Sequence, residues 1–420
     1  MEVKPGYKQT EVGVVPEEWD VRRLDQLTSE IGDGIHSTPE YVKSSDFYFI
    51  NGNNLVDGAI QIGDTTMCVS EAEWRRLRKD LRGQSLLISI NGTIGNLAYY
   101  RGEQVVLGKS AAYLNIAFDI NKEYIFYSLS TSSTGKYFEG ELTGTTIRNL
   151  SLQSLRNTPI PIPREPSEQR AIAGALGDVD ALLGALEELI VKKRDLKHAA
   201  MQQLLTGKTR LPGFHGEWVV KTLFDLAGGK KDLFDDGDWI EAEFLSEDGV
   251  RLVQTGNIGE GVFVEKEEKK FVSEATFQKL RCKEIREGDV LICRLAEPAG
   301  RACILPRLDS YKAITAVDVT IFRPLPACAN SRYLVQLFST GKWFQTVNER
   351  CGGSTRTRIS RSELGKIGIA IPPLPEQTAI AGVLTDMDAE IEALEQRLAK
   401  TRALKQGMMQ ELLTGRVRLI

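Results

Sequence analysis

The sequence predicts an α+β protein in which two mixed heads alternate with two long helices. The helices are expected to pair as an antiparallel coiled coil, giving a pseudo-twofold internal repeat. Three observations carry this reading. Residues 168–211 overlie residues 376–419 without a gap at an offset of 208, and 25 of the 44 positions are identical, the signature of an internal duplication. Both copies keep one apolar rhythm. The segments before each copy also correspond, but only in part. The boundaries expected are a first head at 1–158, a central helical repeat at 159–211, a second head at 212–367 and a C-terminal helical repeat at 368–420.

Each repeat is bounded by its own punctuation. Pro159, Pro161, Pro163 and Pro166 precede the first, and Pro372, Pro373 and Pro375 the second; such runs read as linker and helix start. Gly207 and Gly415 close the copies after Leu-Leu-Thr, as glycine does at a left-handed C-terminal cap. Between these limits the apolar positions are Ile172, Leu176, Val179, Leu183, Leu186 and Ile190, then Ile380, Leu384, Met387, Ile391, Leu394 and Leu398. Steps of four and three repeated in register form a coiled-coil seam. A helix of about 38 residues spans roughly 57 Å. The chain must return on itself to bury both seams, so the pairing is expected to be antiparallel, with the heads at opposite ends of a rod. Lys192-Lys193-Arg194 reads as a solvated face, and His198 as a surface residue.

The heads repeat with more divergence. Glu18-Trp19 matches Glu217-Trp218, Gly83 to Ile88 matches Gly288 to Cys293, Gly95 matches Gly300, and Gly135-Lys136-Tyr137-Phe138 matches Gly341-Lys342-Trp343-Phe344. Leu86-Leu87-Ile88 and Val290-Leu291-Ile292, bounded by glycines, read as buried strands. Short helices are expected at 71–80, with Ser70 and Glu73 as a capping box, and at 274–281. The stretch from Ile31 through Asp33-Gly34 and His36 to Pro39 is read as having no counterpart in head two, which offers Gly228-Gly229-Lys230-Lys231 and the acidic Asp235-Asp236-Gly237-Asp238-Trp239. One scaffold with unlike loops suits two unlike recognition surfaces.

Composition narrows the function classes. A chain of 420 residues has room for two domains with cores of their own. The N-terminus shows no signal-peptide pattern and no apolar run reaches the ~18 residues of a membrane span. The six cysteines lack C-x-x-C spacing, so neither zinc nor a disulfide framework is indicated and a cytoplasmic chain is expected. A net charge of −4 argues against wrapping nucleic acid by bulk charge but leaves room for local basic patches.

Catalytic signatures are missing. Leu107-Gly108-Lys109-Ser110 resembles the end of a phosphate loop, but the spacing to Gly102 is wrong and a strand-like run comes after it. No adenine-methyltransferase tetrapeptide occurs, and His36, His198 and His215 lack metal-ligand spacing. Asp178 and Asp180, repeated as Asp386 and Asp388, lie at i and i+2, which do not face each other on a helix. A structural or docking role is expected for them. No cofactor is implied.

Taken together, this arrangement resembles the specificity subunit of type I restriction-modification systems. The resemblance spans the chain and is carried by Pro163 to Leu211 and Pro372 to Leu419, with their E-Q-x-A-I-A-G openings and L-L-T-G closes. The segment Gly6 to Pro16 and the Asp33-Gly34-x-His36-x-Thr38-Pro39 loop support it. It implies a non-catalytic subunit that reads double-stranded DNA, each head being a target-recognition domain for one half of a split, asymmetric site. The paired helices would set the gap between halves, about one DNA turn (~34 Å). They would also dock two modification subunits, which bring S-adenosylmethionine, before motor-nuclease restriction subunits join. No membrane is involved. The alternative is a coiled-coil scaffold joining partners through two homologous heads, separable by co-purification with modification subunits.

Under this resemblance the expected DNA contacts fall in loops and basic clusters. In head one they are Arg75, Arg76, Arg78 and Lys79, near Arg82; then Asn91, Thr93 and Asn96 around Gly92 and Gly95; then Thr145, Thr146, Arg148 and Asn149. In head two they are Arg294 and Arg301, flanking Glu297 and Gly300, and then Ser354, Thr355, Arg356, Arg358 and Arg361. Arginine suits guanine O6/N7 and asparagine suits adenine. Asn54 and Asn257, matched across the heads, are expected to be turn residues.

Overall fold

Apolar runs too short for helices become the central strands of each head. In the computed structural model, which describes residues 4–143, 148–310, 312–353 and 357–419, Ser85–Ser89 and Ala111–Ile116 lie side by side, buried at every position. Thr28–Asp33 and Leu97–Tyr99 flank them in an antiparallel four-stranded sheet. Head two builds the same sheet in the same order from Phe234–Asp236, Val319–Phe322, Val290–Cys293 and Ala302–Ile304. A second sheet in each head contains one parallel pair, Tyr48–Ile50 with Val105–Leu107 at the sheet edge in head one and Val250–Val253 with Ala313–Thr315 inside the sheet in head two. The short helices form where their caps place them. Ser70 Oγ accepts from the Glu73 amide (3.1 Å) ahead of the Glu71–Leu77 helix, and Ser273 Oγ accepts from the Thr276 amide ahead of Glu274–Leu280.

The proline runs hold a surprise. Pro159–Pro163 is not linker but a strand, paired antiparallel with Trp19–Arg23. Its prolines fall at every second residue, so all three missing N–H groups lie on the same edge and the ladder bonds through Ile160 and Ile162 survive. Gly368–Ile371 pairs with Val219–Thr222 in the same way in head two.

The two long helices run Pro166–Leu204 and Leu374–Leu412, and they are paired. The chain divides into two units, 1–187 with 396–420 and 188–395, so each unit holds one head and half of each helix. In the first unit Asp180 meets Lys405 (2.5 Å) and Glu187 meets Arg402 (2.6 Å). In the second, Lys193 meets Glu390 (2.6 Å), Arg194 meets Glu395 (2.5 Å) and Lys197 meets Asp388 (2.5 Å). From Asp180–Lys405 to Glu187–Arg402 in one unit, and from Arg194–Glu395 to Lys197–Asp388 in the other, numbers rise along one helix as they fall along its partner, so the pairing is antiparallel. The basic run at 192–194 thus supplies cross-helix ion pairs. The seam faces inward: Ile172, Leu176, Leu186, Ile190, Ile380 and Leu384 are buried.

What fixes each head to its helices is a pair of buried carboxylates at equivalent positions. Glu168 accepts from Arg418 (2.9 Å to Nη2) and from the Trp19 indole (3.3 Å). Glu376 accepts from Arg210 (2.5 Å to Nη2), which lies over the Trp218 ring. The next residue repeats the logic. Gln169 accepts from the Asn121 amide and donates to Pro163 O, while Gln377 accepts from the Asn330 amide and donates to Pro372 O. The second aspartate of each repeat is shared as well: Asp180 takes the Tyr127 hydroxyl (2.9 Å) and Asp388 takes the Gln336 amide (2.8 Å). Gly207 and Gly415 both have φ +69°, as the caps require.

Removing one partner of a buried ion pair costs about 3–5 kcal/mol, less where the survivor is partly hydrated. Arg210 is a quarter exposed and Glu376 only 1%, so Glu376→Ala is expected to cost about 2–3 kcal/mol. Chemical denaturation read by tryptophan fluorescence checks this. Asp178→Ala, on the exposed side of the helix, should change stability by less than about 0.5 kcal/mol.

Candidate nucleic-acid interface

The candidate recognition loops grow from one turn that both heads share. Gly34 donates to Ala111 O and Gly237 to Val319 O; Ile35 then donates to Leu107 O and Asp238 to Thr315 O. A Cβ on Gly34 would lie 2.2 Å from Leu107 O, and one on Gly237 2.3 Å from Ala316 O. The Asp33-Gly34 loop therefore does have a counterpart, Asp236-Gly237, contrary to the sequence expectation. The dipeptide is the crossing point between sheets, and the residues after it differ between the heads: His36 beside Asp33 (2.8 Å) in head one, an exposed Trp239 in head two.

Two further loops join this turn. In head one Ile90 accepts from the Leu150 amide and Asn91 bridges Asn149, which exchanges both backbone bonds with Thr143. In head two Arg294 accepts from the Ile359 amide, Leu295 bridges Arg358, and Arg358 exchanges both bonds with Gly352. The structure thus brings Asn91, Thr93, Arg148 and Asn149 together on head one, and Arg358 together with the 295–298 turn on head two. Asn96 closes its own turn instead: its amide donates to Ser89 Oγ (2.9 Å), and that hydroxyl donates to Thr93 O. Thr145, Thr146, Ser354, Thr355 and Arg356 lie outside the described residues.

Several expected contact residues are committed elsewhere. Arg294 is 2% exposed, donates to Ile359 O and Val317 O, and pairs with Asp236 (3.1 Å). Burial pushes the Asp236 carboxyl up against the pull of Arg294, while the guanidinium stays charged. Arg301 spends its fork on four carbonyls, those of Ile258, Thr255, Leu295 and Pro298. Both shape the loops from beneath. Register also places Arg294 opposite Ile90, not Asn91. Arg361 opens the Arg361–Gly365 helix and binds Asp235, which Lys283 also reaches (3.1 Å). Arg358 is 41% exposed, with its Nε on Asp318 (3.1 Å).

The basic cluster of head one is partly self-neutralised. Arg75 pairs with Glu71 and Arg76 with Glu73 (each 2.6 Å), Arg82 with Asp80, and Arg78 lies over the Trp74 ring. Arg78 and Lys79 line a cleft of about 270 Å³ with Trp74, Asp80, Leu81, Tyr100 and Val105. Asn54 and Asn257 are turn residues in identical settings, each capping the residue three before and donating to Gln61 O and Val264 O respectively.

Among the described residues no group of three or more His, Cys, Asp or Glu side chains is placed to hold a metal ion, and no helix is long and apolar enough to cross a membrane. The cysteines are free, and burial pushes Cys303 up to about 12 and Cys282 up to about 11, far from a reactive thiolate.

Two heads of one topology, joined to paired helices and differing in their loops, match a known plan. The family model for the type I restriction modification DNA specificity domain covers residues 16–193 and 216–401. The chain belongs to that family. It is the specificity subunit of a type I restriction-modification complex and not its catalytic component. The type I restriction enzyme MjaVIII specificity subunit of Methanocaldococcus jannaschii is 25% identical over 312 residues, 70% of each chain. A second M. jannaschii chain, provisionally assigned as the MjaX specificity subunit, is 24% identical over 440 aligned positions, 98% of this chain and 97% of that one. The S subunit from M. genitalium shares the fold at a TM-score of 0.57 and 14% identity, with 98% of each chain covered. A chain from a structural study of type I R-M complex assembly and conformational transition gives 0.56 at 17% identity, over 96% and 99%.

If Asp236-Gly237 is the crossing point described, Gly237→Ala forces a Cβ into two carbonyl groups. An overpacking cost of about 1–3 kcal/mol is expected, read as a fall in the denaturation midpoint. Gly83→Ala, whose Cβ meets nothing, is the control.

Proposed function

We propose that each head of this specificity subunit reads one half of a bipartite, asymmetric site in double-stranded DNA, and that the paired helices set the spacing between halves. One observation supports this most. Equivalent loops rise from the same turn in both heads, but they carry Asn91, Thr93, Arg148 and Asn149 in one and Arg358 beside Glu297 in the other. A common frame with unlike polar groups suits unlike base sequences. In this reading Arg78 and Lys79 steady the phosphate backbone, Arg361 contributes beside its partner Asp235, and Thr145, Thr146, Ser354, Thr355 and Arg356 are further expected contacts. Arg294, Arg301 and Asn96 act as supports of these loops.

The helices also carry the docking surface for two modification subunits in this reading, and restriction subunits complete the assembly in the cytoplasm. Exposed leucines support it: Leu189 and Leu196 on the first helix, and Leu404, the repeat equivalent of Leu196, on the second. An apolar side chain kept on a charged helix face is what a partner would cover.

The deciding experiment is co-expression with the modification subunits and sequencing of genomic methylation. A two-part motif with a fixed gap is expected; no association with those subunits, or methyl transfer by this chain alone, would overturn the reading. Removing one heptad from 176–190 should change the gap while leaving both half-sites intact. Arg358→Ala should weaken discrimination at one half-site by about 1–3 kcal/mol, measured by binding competition. Leu196→Asp with Leu404→Asp should lower the yield of modification subunits in affinity purification without loss of helical circular dichroism.

A further inference from the structure

Head two carries a charged side chain that finds no partner among the described residues. Glu297 sits on the turn between Val290–Cys293 and Ala302–Ile304, where head one has the turn around Gly92 and Thr93. It is exposed, and its carboxylate pairs with none of the described residues. The neighbouring carboxylates are all occupied: Asp235 by Arg361 and Lys283, Asp236 by Arg294, Asp318 by Arg358.

Its backbone is tightly held. Arg301 donates to Leu295 O (3.1 Å) and Pro298 O (2.9 Å) on either side of Glu297, and ties both to Ile258 O (2.7 Å) and Thr255 O (3.1 Å). The Ala296 amide donates to Thr357 O (3.1 Å), and Leu295 bridges Arg358. So Glu297 and Arg358 rise from adjoining, mutually bonded segments.

A carboxylate on this held turn is badly placed against a phosphate, since like charges repel at close range. Against base edges the same group is an acceptor only. Its partner there is an exocyclic amine, and glutamate in the major groove accepts from cytosine N4, just as arginine donates to guanine O6 and N7. We infer that Glu297 is a specificity-determining residue of head two that accepts from a cytosine amino group, and that Arg301 is the positioning residue that aims it. This inference rests on the half-site reading proposed for the heads. Head one offers no such pair. Neither Thr93 nor Asn96 carries a charge, so the effect is confined to one half-site.

The test uses the full chain assembled with its modification subunits in a host free of background methylation, with the methylome read by sequencing. For the unaltered chain the expected outcome is a two-part motif with a C·G pair in the head-two half. Glu297→Gln should relax that one position by about tenfold or more and shift it toward A·T, because glutamine pairs with adenine. Arg301→Gln should blur the same position, whereas Arg301→Lys, which keeps a donor for the carbonyls, should restore part of the discrimination. A merely structural arginine would instead lower methylation uniformly. If the unaltered chain yields a two-part motif and Glu297→Gln leaves every position unchanged, or weakens both halves alike, the inference is overturned. If the unaltered chain yields no two-part motif, the half-site reading has failed and the inference falls with it.

Discussion

A buried carboxylate at the first turn of each long helix is the constraint on which the rest of each unit depends. Glu168 and Glu376 are held away from water, and a charge in that position is tolerable only with a close cation and further donors. Neither cation is local. Arg418 comes from beyond the end of the other helix, and Arg210 from beyond the end of the first. Satisfying the charge therefore requires three things at once: the head, the start of one helix and the end of the other. The adjacent glutamines bond the caps of head helices, and the shared aspartates bond Tyr127 and Gln336. The seam leucines supply burial, but the polar repeat supplies uniqueness of register.

The heads vary above a frame that does not. The Ile90 and Arg294 amides make the same bond, to Ser110 O and Asp318 O. Yet one side chain is apolar, while the other is a buried cation with its own carboxylate. Divergence therefore reaches one layer beneath the loops. Head two stabilises its turns with Arg294 and Arg301, and head one with hydroxyl and amide groups such as Ser89 and Asn51. Residues that look like DNA contacts by type can be the internal scaffolding of the loops proposed to make the contacts.

Sequence alone revealed what is periodic. The helices, their seam, their antiparallel pairing and their caps are legible because a helix repeats its environment every few residues. The central strands, the Ser70 cap and the short helix after Ser273 were readable for a similar local reason. The Pro159–Pro163 strand was not, because proline signals a break unless its partner, Trp19–Arg23, is known to lie 140 residues earlier. The kinship of Asp33-Gly34 and Asp236-Gly237 was hidden because the flanking residues share nothing, and the need for glycine comes from backbone across a sheet boundary. Arg294 and Arg301 could not be told from Arg358 by type. Whether an arginine points inward depends on carbonyls supplied by segments some 40 to 65 residues away. The carboxylates that quench Arg75 and Arg76 were the one local hint, lying at i−4 and i−3.

The Arg418–Glu168 contact also bears on how the chain withstands cleavage. Leu413 and Gly415 pack beside the start of head one, and Tyr7 donates to Gly415 O. In the stretch from Thr414 to Arg418, Gly415 is buried and Arg418 half-buried, while Arg416 and Val417 face solvent. A single proteolytic nick there would not simply trim a tail. It would strand an ionised Glu168 in a low-dielectric setting, and head one would loosen from the helix that carries it.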